Sequence, residues 1–254
     1  MARGPAQDDR QLFAESALTT LRTAAAELSW LLSRGYASHA ALELVGNRHD
    51  LWARQRTAVL RCSCSDEQAA TRRSRSLAPA ALAGRALAID GFNLLIVAES
   101  AFAGGVLLRG RDGVLRDMAS VHGSYRRSEH TLVAATAIGE RLAALGPSAV
   151  RWVFDRPVSN SGRLATTLGE LARERGWPWT IELDFNPDKR LVALVQQTGE
   201  KAGDRAGEGA PVIASGDAWI LDQVPAFVDL AADLVMQRCP QAWLVDLDLP
   251  TAIA

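Results

Sequence analysis

Ala86-Leu87-Ala88-Ile89-Asp90-Gly91-Phe92-Asn93-Leu94-Leu95-Ile96 is the stretch whose reading decides the fold. Its first four residues are apolar without alternation, the pattern of a parallel strand covered by helices on both faces. The run stops at a carboxylate, Asp90. Gly91 permits a tight turn, and from Asn93 onward the apolar residues take helical spacing. Ligands bind at the carboxyl ends of strands in an open α/β sheet, which makes Asp90 a candidate for chemistry. Asp is also a preferred helix N-cap, so Asp90 can equally serve the following helix and nothing else.

The same signature recurs downstream. Val150-Arg151-Trp152-Val153-Phe154-Asp155 is a second strand running into an aspartate, followed by a turn of cap-forming residues and a helix to about residue 175. Residues 177–184 read as a third strand. Asn186-Pro187-Asp188 caps another helix through Gln197, and residues 199–210 read as a surface loop. Pro211-Val212-Ile213-Ala214-Ser215 is a fourth strand, with Gly216-Asp217 opening a helix at Ala218. Residues 225–238 read as a helix and 242–247 as a last strand. Ahead of the second strand, residues 106–108 and 114–116 flank Asp112-Gly113 as a hairpin. A long helix over 128–145 ends at Gly146-Pro147. Strands alternating with helices predict an α/β fold with a parallel, doubly wound sheet over 86–254.

The front of the chain reads differently. Leu18, Leu21, Ala25, Leu28 and Leu32 form one stripe of an amphipathic helix over 10–34, which Gly35 is placed to end. Ser38 is placed to cap a second helix stopped at Gly46, and Asp50 a third that carries Arg54, Arg56 and Arg61. Residues 1–62 are thus a small all-α domain, either a helix-turn-helix or, the favoured reading, a helical cap. Residues 63–85 read as a polar linker with an arginine cluster, Arg72 to Arg75.

Charge divides along the same line. Residues 1–85 hold 12 arginines, no lysine and 8 acidic residues, a balance of +4; the other 16 basic and 21 acidic residues leave the remainder at −5. The net charge of −1 over 254 residues argues against wholesale wrapping of nucleic acid but leaves room for a local basic patch. Cys62, Cys64 and Cys239 have no metal-ligand spacing, and an odd count without a signal peptide predicts a reduced, cytoplasmic protein. No apolar run approaches the ~20 residues that cross a bilayer.

Three strands therefore end in Asp90, Asp155 and Asp217. Neighbouring strands lie about 4.8 Å apart, so their terminal carboxylates can converge. Three ionised carboxylates at that separation require a cation, and an all-oxygen set suits Mg²⁺ or Mn²⁺. Motifs for acyl transfer, a Walker loop and a dinucleotide fingerprint are all missing from the sequence.

Ile89-Asp90-Gly91-Phe92-Asn93, Phe154-Asp155 and Ser215-Gly216-Asp217, in this order, resemble the PIN-like nuclease superfamily, including its NYN branch. The resemblance covers roughly residues 86–247. It implies a PIN-like sheet, phosphodiester hydrolysis by metal-activated water, Asp90, Asp155 and Asp217 as metal ligands, and Asn93 as the residue that orients the loop or the attacking water. Trp219 stands where such nucleases often carry a second acid; Asp222, about one helical turn on, is the candidate replacement. Glu99 and Asp117 are candidates for the fourth acid. More narrowly, Ser33-Arg34-Gly35-Tyr36, Val45-Gly46-Asn47-Arg48-His49 and the run from Phe154 to Gly162 resemble a prokaryotic family in which domain of unknown function 434 is joined to a PIN-like domain.

His122, Tyr125, Arg126 and Arg127 are candidates for binding a phosphate or stacking on a base. Ser159, Asn160 and Ser161 can bind phosphate at a helix start or simply cap it. The leading expectation is a divalent-metal-dependent endoribonuclease acting on RNA or DNA, with no membrane partner and a homodimer as the candidate assembly. The alternatives are a non-catalytic nucleic-acid-binding or regulatory protein and an aspartyl phosphatase with Asp90 as nucleophile. Phe92, two residues after Asp90, stands where such a phosphatase places its general acid.

Overall fold

Residues 86–90 form the central strand of the main sheet in the computed structural model, which describes residues 3–119, 125–201 and 209–248. In chain order the front end holds α1 (Asp9–Leu12), α2 (Glu15–Leu32), α3 (Ser38–Arg48), α4 (Ala53–Cys62) and α5 (Asp66–Arg75). Then come β1 (Ala86–Asp90), α6 (Gly91–Phe102), β2 (Leu107–Arg109), β3 (Leu115–Asp117), α7 (Thr131–Leu145), β4 (Ala149–Asp155) and α8 (Ser161–Arg175). The chain continues through β5 (Trp179–Asp184), α9 (Pro187–Lys201), β6 (Val212–Ala214), α10 (Ala218–Gln223), β7 (Phe227–Val228), α11 (Leu230–Arg238) and β8 (Leu244–Asp246).

The main sheet has five strands in the order β5-β4-β1-β6-β7, every pair parallel. From β1 the chain moves outward to β4 and β5, then returns across β1 to lay down β6 and β7. The reversal between β1 and β6 is a topological switch point, where a crevice opens at the carboxyl ends of the strands. Burial on both faces explains the unbroken apolar run in β1. Leu87 and Ile89 pack into the core shared with α6, α7 and α11, whereas Ala88 faces Leu191, Val192 and Ile220 of α9 and α10. Gly91 is required where α6 leaves β1, because the Phe154 ring fills the space that a Cβ would occupy.

A second sheet, β3-β2-β8, joins the two halves of the molecule. Side chains alternate across β2: Leu107 enters the main core, while Leu108 packs with Leu21, Leu28, Ala58 and Val59 of the front helices. The basic side chains of α4 are engaged within the chain. Arg54 pairs with Asp9, Arg56 bonds Leu51 O and Asn47 Oδ1, and Arg61 donates to the carbonyls of Asp117 and Ala119. Among the described residues no helix is long and apolar enough to cross a membrane.

Several local readings change. The helix expected over 10–34 breaks at Phe13-Ala14: Phe13 turns into the core, and Gln55 Nε2 donates to the Leu12 carbonyl at 2.8 Å. Gly46 lies inside α3, where it admits the Arg56 side chain, and α4 is capped by Trp52 with Gln55, not by Asp50. Residues 66–75, read as linker, are the helix α5, held by a Ser65/Gln68 capping box and by the buried Arg72. The helix expected from Pro225 begins at Leu230, because Phe227–Val228 adds an edge strand to β6 and Asp229 caps α11. The last strand, β8, pairs with β2 and not with the main sheet.

Candidate active site

Asp90 ends β1 one residue past the Ile89–Ala214 pairing with β6, which sets it beside Ser215. Ser215 Oγ donates to Asp90 Oδ2 at 2.9 Å and accepts from the Asp217 N–H at 3.0 Å. Asp90 Oδ1 accepts the Asn93 N–H at 3.4 Å, so Asp90 caps α6 as well as occupying the strand end. The Asn93 side chain reaches across the switch point, where its Oδ1 accepts the Gly216 N–H at 2.8 Å. From the other side Arg116 Nε donates to the Gly216 carbonyl at 2.9 Å. Gly216 is thus clamped at both backbone polar groups, and a Cβ there would sit about 3.0 Å from the Leu115 carbonyl. Asp217 follows, its Oδ1 capping α10 at the N–H groups of Trp219 (2.9 Å) and Ile220 (3.1 Å).

Electrostatics link these acids. Burial lifts the Asp90 carboxyl to about 7; the Ser215 hydrogen bond opposes this, and the charges of Asp188 and Asp217 add to it. Asp155, at the end of β4, is raised by desolvation, and its Oδ1 is buried without a hydrogen-bond partner. Asp188, in the first turn of α9, is raised by burial and then by Asp217 and Asp155. Asp188 thus stands between the others: its charge bears on Asp90, and the charges of Asp217 and Asp155 bear on it. Asp188 is the one that sequence reading missed. Its signal was present in Asn186-Pro187-Asp188, but a Pro-Asp helix start is fully explained by capping, and nothing in sequence shows that α9 points this turn at Asp217 and Asp155.

Among the described residues no three His, Cys, Asp or Glu side chains come close enough to form a ready-made metal cage. Capping explains the spacing, since Asp90 and Asp217 are held by backbone N–H groups. Mg²⁺ commonly takes one or two carboxylates and completes its octahedron with water, so a full cage is not a precondition. The unpartnered Asp155 Oδ1 and the raised Asp90 and Asp188 are the groups that a nearby cation would stabilise.

Other predicted residues lie elsewhere. Both oxygens of Asp222 are engaged, Oδ1 by Arg72 Nε (2.7 Å) and Oδ2 by Arg72 Nη2 (2.9 Å) and Gln68 Nε2 (2.8 Å). It is therefore not brought into the acid group. Glu99 is buried in a network with Arg3, Tyr125, Ser128 and Thr131. Asp117 lies on the wall of the cavity that Asp188 and Asp217 also line, but it is held by its own bond from the Ala119 N–H and by Arg61 at 3.7 Å. His122 lies outside the described residues. Tyr125 is 1% exposed with its hydroxyl on Glu99 (2.5 Å), which leaves no ring face for a base. The Ser161 hydroxyl turns inward to the Arg156 carbonyl, Asn160 Nδ2 donates to the Tyr125 carbonyl, and Ser159 O accepts the Tyr125 N–H. Arg126 and Arg127 are exposed.

A cavity of about 470 Å³ opens on two of these acids, Asp188 and Asp217. Asp188, Asp217, Asn93 and Gly216 line one side; Leu60 and Arg61 of α4 and Arg72 of α5 close the other. Arg72 and Arg116 both bind the buried Asp112, whose carboxyl is pushed up by burial yet held at about 2 by these guanidiniums. The front helices are thereby part of the wall.

Residues 20–75 match a family described as a protein of unknown function (DUF434), and residues 79–233 match a domain of unknown function (DUF5616). An uncharacterized protein of Methanocaldococcus jannaschii, MJ0935, is 29% identical over 151 residues, covering 59% of this chain and 72% of the relative. No solved structure matches. The second family match spans β1 to the first turn of α11, the whole acid-bearing sheet: the chain belongs to the DUF5616 family, with a DUF434 segment in front.

Proposed function

We propose that this chain is a divalent-metal-dependent phosphodiesterase of the PIN-like kind, an endoribonuclease whose ion is held by Asp155 and Asp188 with Asp90 and Asp217 around them. The observation that carries the reading is the buried, unpartnered Oδ1 of Asp155, together with an Asp188 whose charge is disfavoured by burial and then by Asp217 and Asp155. The ionised forms of Asp155 and Asp188 are disfavoured in the bare protein and become favourable beside a hard cation. The ion supplies Lewis acidity toward a phosphodiester when bound. The chain supplies the rest. Asn93 and Arg116 hold the Gly216 turn rigid, Ser215 fixes the Asp90 carboxyl, and the 470 Å³ cavity admits a nucleotide-sized group between α4 and the strand ends.

One observation favours a second reading, a nucleic-acid-binding protein without catalysis: no three acids form a closed cage among the described residues. A single assay separates the two. Single-stranded RNA incubated with Mn²⁺ is cleaved by the wild-type protein, and Asp90→Asn and Asp188→Asn each reduce the rate by at least about a hundredfold, as expected when a group acting on the transition state is removed. Cleavage that persists in Asp90→Asn, or that survives EDTA, overturns the proposal.

A further inference from the structure

We propose that a cavity of about 380 Å³ beside the β4–α8 turn, lined by Arg126, Arg127 and Arg163 with Asn160 and Thr167, holds backbone phosphates of a single-stranded polynucleotide. It rests on the preceding reading that the substrate is a polynucleotide, and it assigns the place where the flanking phosphates sit.

Three guanidiniums and no carboxylate line this cavity. All three arginines are exposed, and none has a hydrogen bond or ion pair among the described residues. Arg72, Arg116, Arg141 and Arg190, by contrast, are each bound to a carboxylate, and what sets this trio apart is that its three guanidiniums share one cavity. An unneutralised trio is the footprint of an anion site. The helix beneath adds to it. Asn160, at φ 68°, makes no side-chain cap for α8, because its amide donates to the Tyr125 carbonyl instead. The Ser161 N–H is taken by the Val158 carbonyl (3.1 Å), which leaves the N–H groups of Gly162 and Arg163 at the positive end of a 15-residue helix beside the cavity.

The position favours a polymer over a small anion. Asp155 and Asn160 stand at the two ends of one tight turn, fixed by Val158 N–H to the Asp155 carbonyl (3.3 Å) and by the Ser161 hydroxyl to the Arg156 carbonyl (3.2 Å). The turn joins the strand end that carries Asp155 directly to the helix start that carries Arg163, so on this proposal a strand with one phosphate at the acids runs on toward the arginines. Leu164 and Tyr125, both buried, form an apolar floor with no free aromatic face, so the site reads phosphate and sugar and not base identity.

The test is binding of a fluorescent oligouridylate, followed by anisotropy in EDTA so that cleavage plays no part. Replacing Arg126, Arg127 and Arg163 together by Gln weakens binding by about tenfold or more at low salt. The slope of log Kd against log salt falls by about 2, at about 0.7 for each phosphate that is no longer neutralised. All three side chains are exposed, so the melting temperature stays put; if it does not, Arg163→Gln alone lowers the slope by about 0.7. Uridine monophosphate and pyrophosphate compete only at far higher concentration. Unchanged affinity and slope overturn the proposal, and so does competition by either small anion at the oligomer's own concentration. Arginine-dependent binding without any cleavage supports this cavity while removing the nuclease reading. Asp90-dependent cleavage with arginine-independent binding does the reverse.

Discussion

Replacing Asp90 by Asn should make the metal-free protein more stable at neutral and alkaline pH. In the folded chain the Asp90 carboxyl is lifted from 3.8 to about 7, chiefly by burial against Ile89 and under α6, then by Asp188 and Asp217. A raised acid favours its protonated form, so its contribution to stability is fully present below about pH 4 and is lost as pH rises through about 7. A tenfold change in proton affinity corresponds to about 1.4 kcal/mol, so a rise of about three pH units puts the loss near 4 kcal/mol. Asn escapes that loss. Its carbonyl can still accept from the Asn93 N–H or the Ser215 hydroxyl, but not in the same arrangement, at a cost of about 1 kcal/mol. A net gain of about 3 kcal/mol corresponds to roughly 6–12 °C in a chain of this size. The assay is thermal unfolding in EDTA across about pH 4 to 8. At the acid end Asp90→Asn should melt about 2–4 °C below wild type; the curves should cross as pH rises and reach their full separation above about pH 7. Equal melting temperatures at pH 8, or a constant offset at every pH, would refute the electrostatic argument.

Asn93→Ala removes the acceptor for Gly216 N–H; it should cost about 1–2 kcal/mol in urea denaturation and weaken Mn²⁺ affinity, whereas unaltered affinity would show the Gly216 turn holds without it. Gly91→Ala places a methyl group in the Phe154 ring, and overpacking of this kind costs about 1–3 kcal/mol, read as a lower denaturation midpoint with unchanged slope. Arg72→Met leaves Asp222 without its bidentate partner and Asp112 with Arg116 alone; a loss of about 3–5 kcal/mol is expected, and a neutral result would show that Arg116 suffices.

Much of the fold was legible because β1 and β6 carry unbroken apolar runs that stop at polar turns, and β4 interrupts its own only at Arg151. Asp90, Asp155 and the Ser215-Gly216-Asp217 turn were legible for the same reason: strand ends are visible in sequence, and strand ends are where the switch point opens. The failures have a common cause in tertiary packing. Gly46 looks like a helix stop until Arg56 is seen lying across it, and α5 looks like a linker until Arg72 is seen binding Asp112 and Asp222. Asp222 itself, one turn past the expected second acid, has the right spacing, but its partners come from a helix some 150 residues earlier. Asp188 shows the converse, since its capping role is local and legible while its electrostatic role depends on how α9 packs against β4.

Mn²⁺ binding, followed by the loss of the free-ion paramagnetic resonance signal, tests the central claim most directly. The acids are proposed to tolerate one another only beside a bound cation, so the wild-type chain should take up Mn²⁺ at neutral pH. Asp155→Asn and Asp188→Asn should each weaken uptake by at least about tenfold, and Asp222→Asn should leave it unchanged. Equal Mn²⁺ uptake by Asp155→Asn and wild type, or no uptake by either, would contradict it.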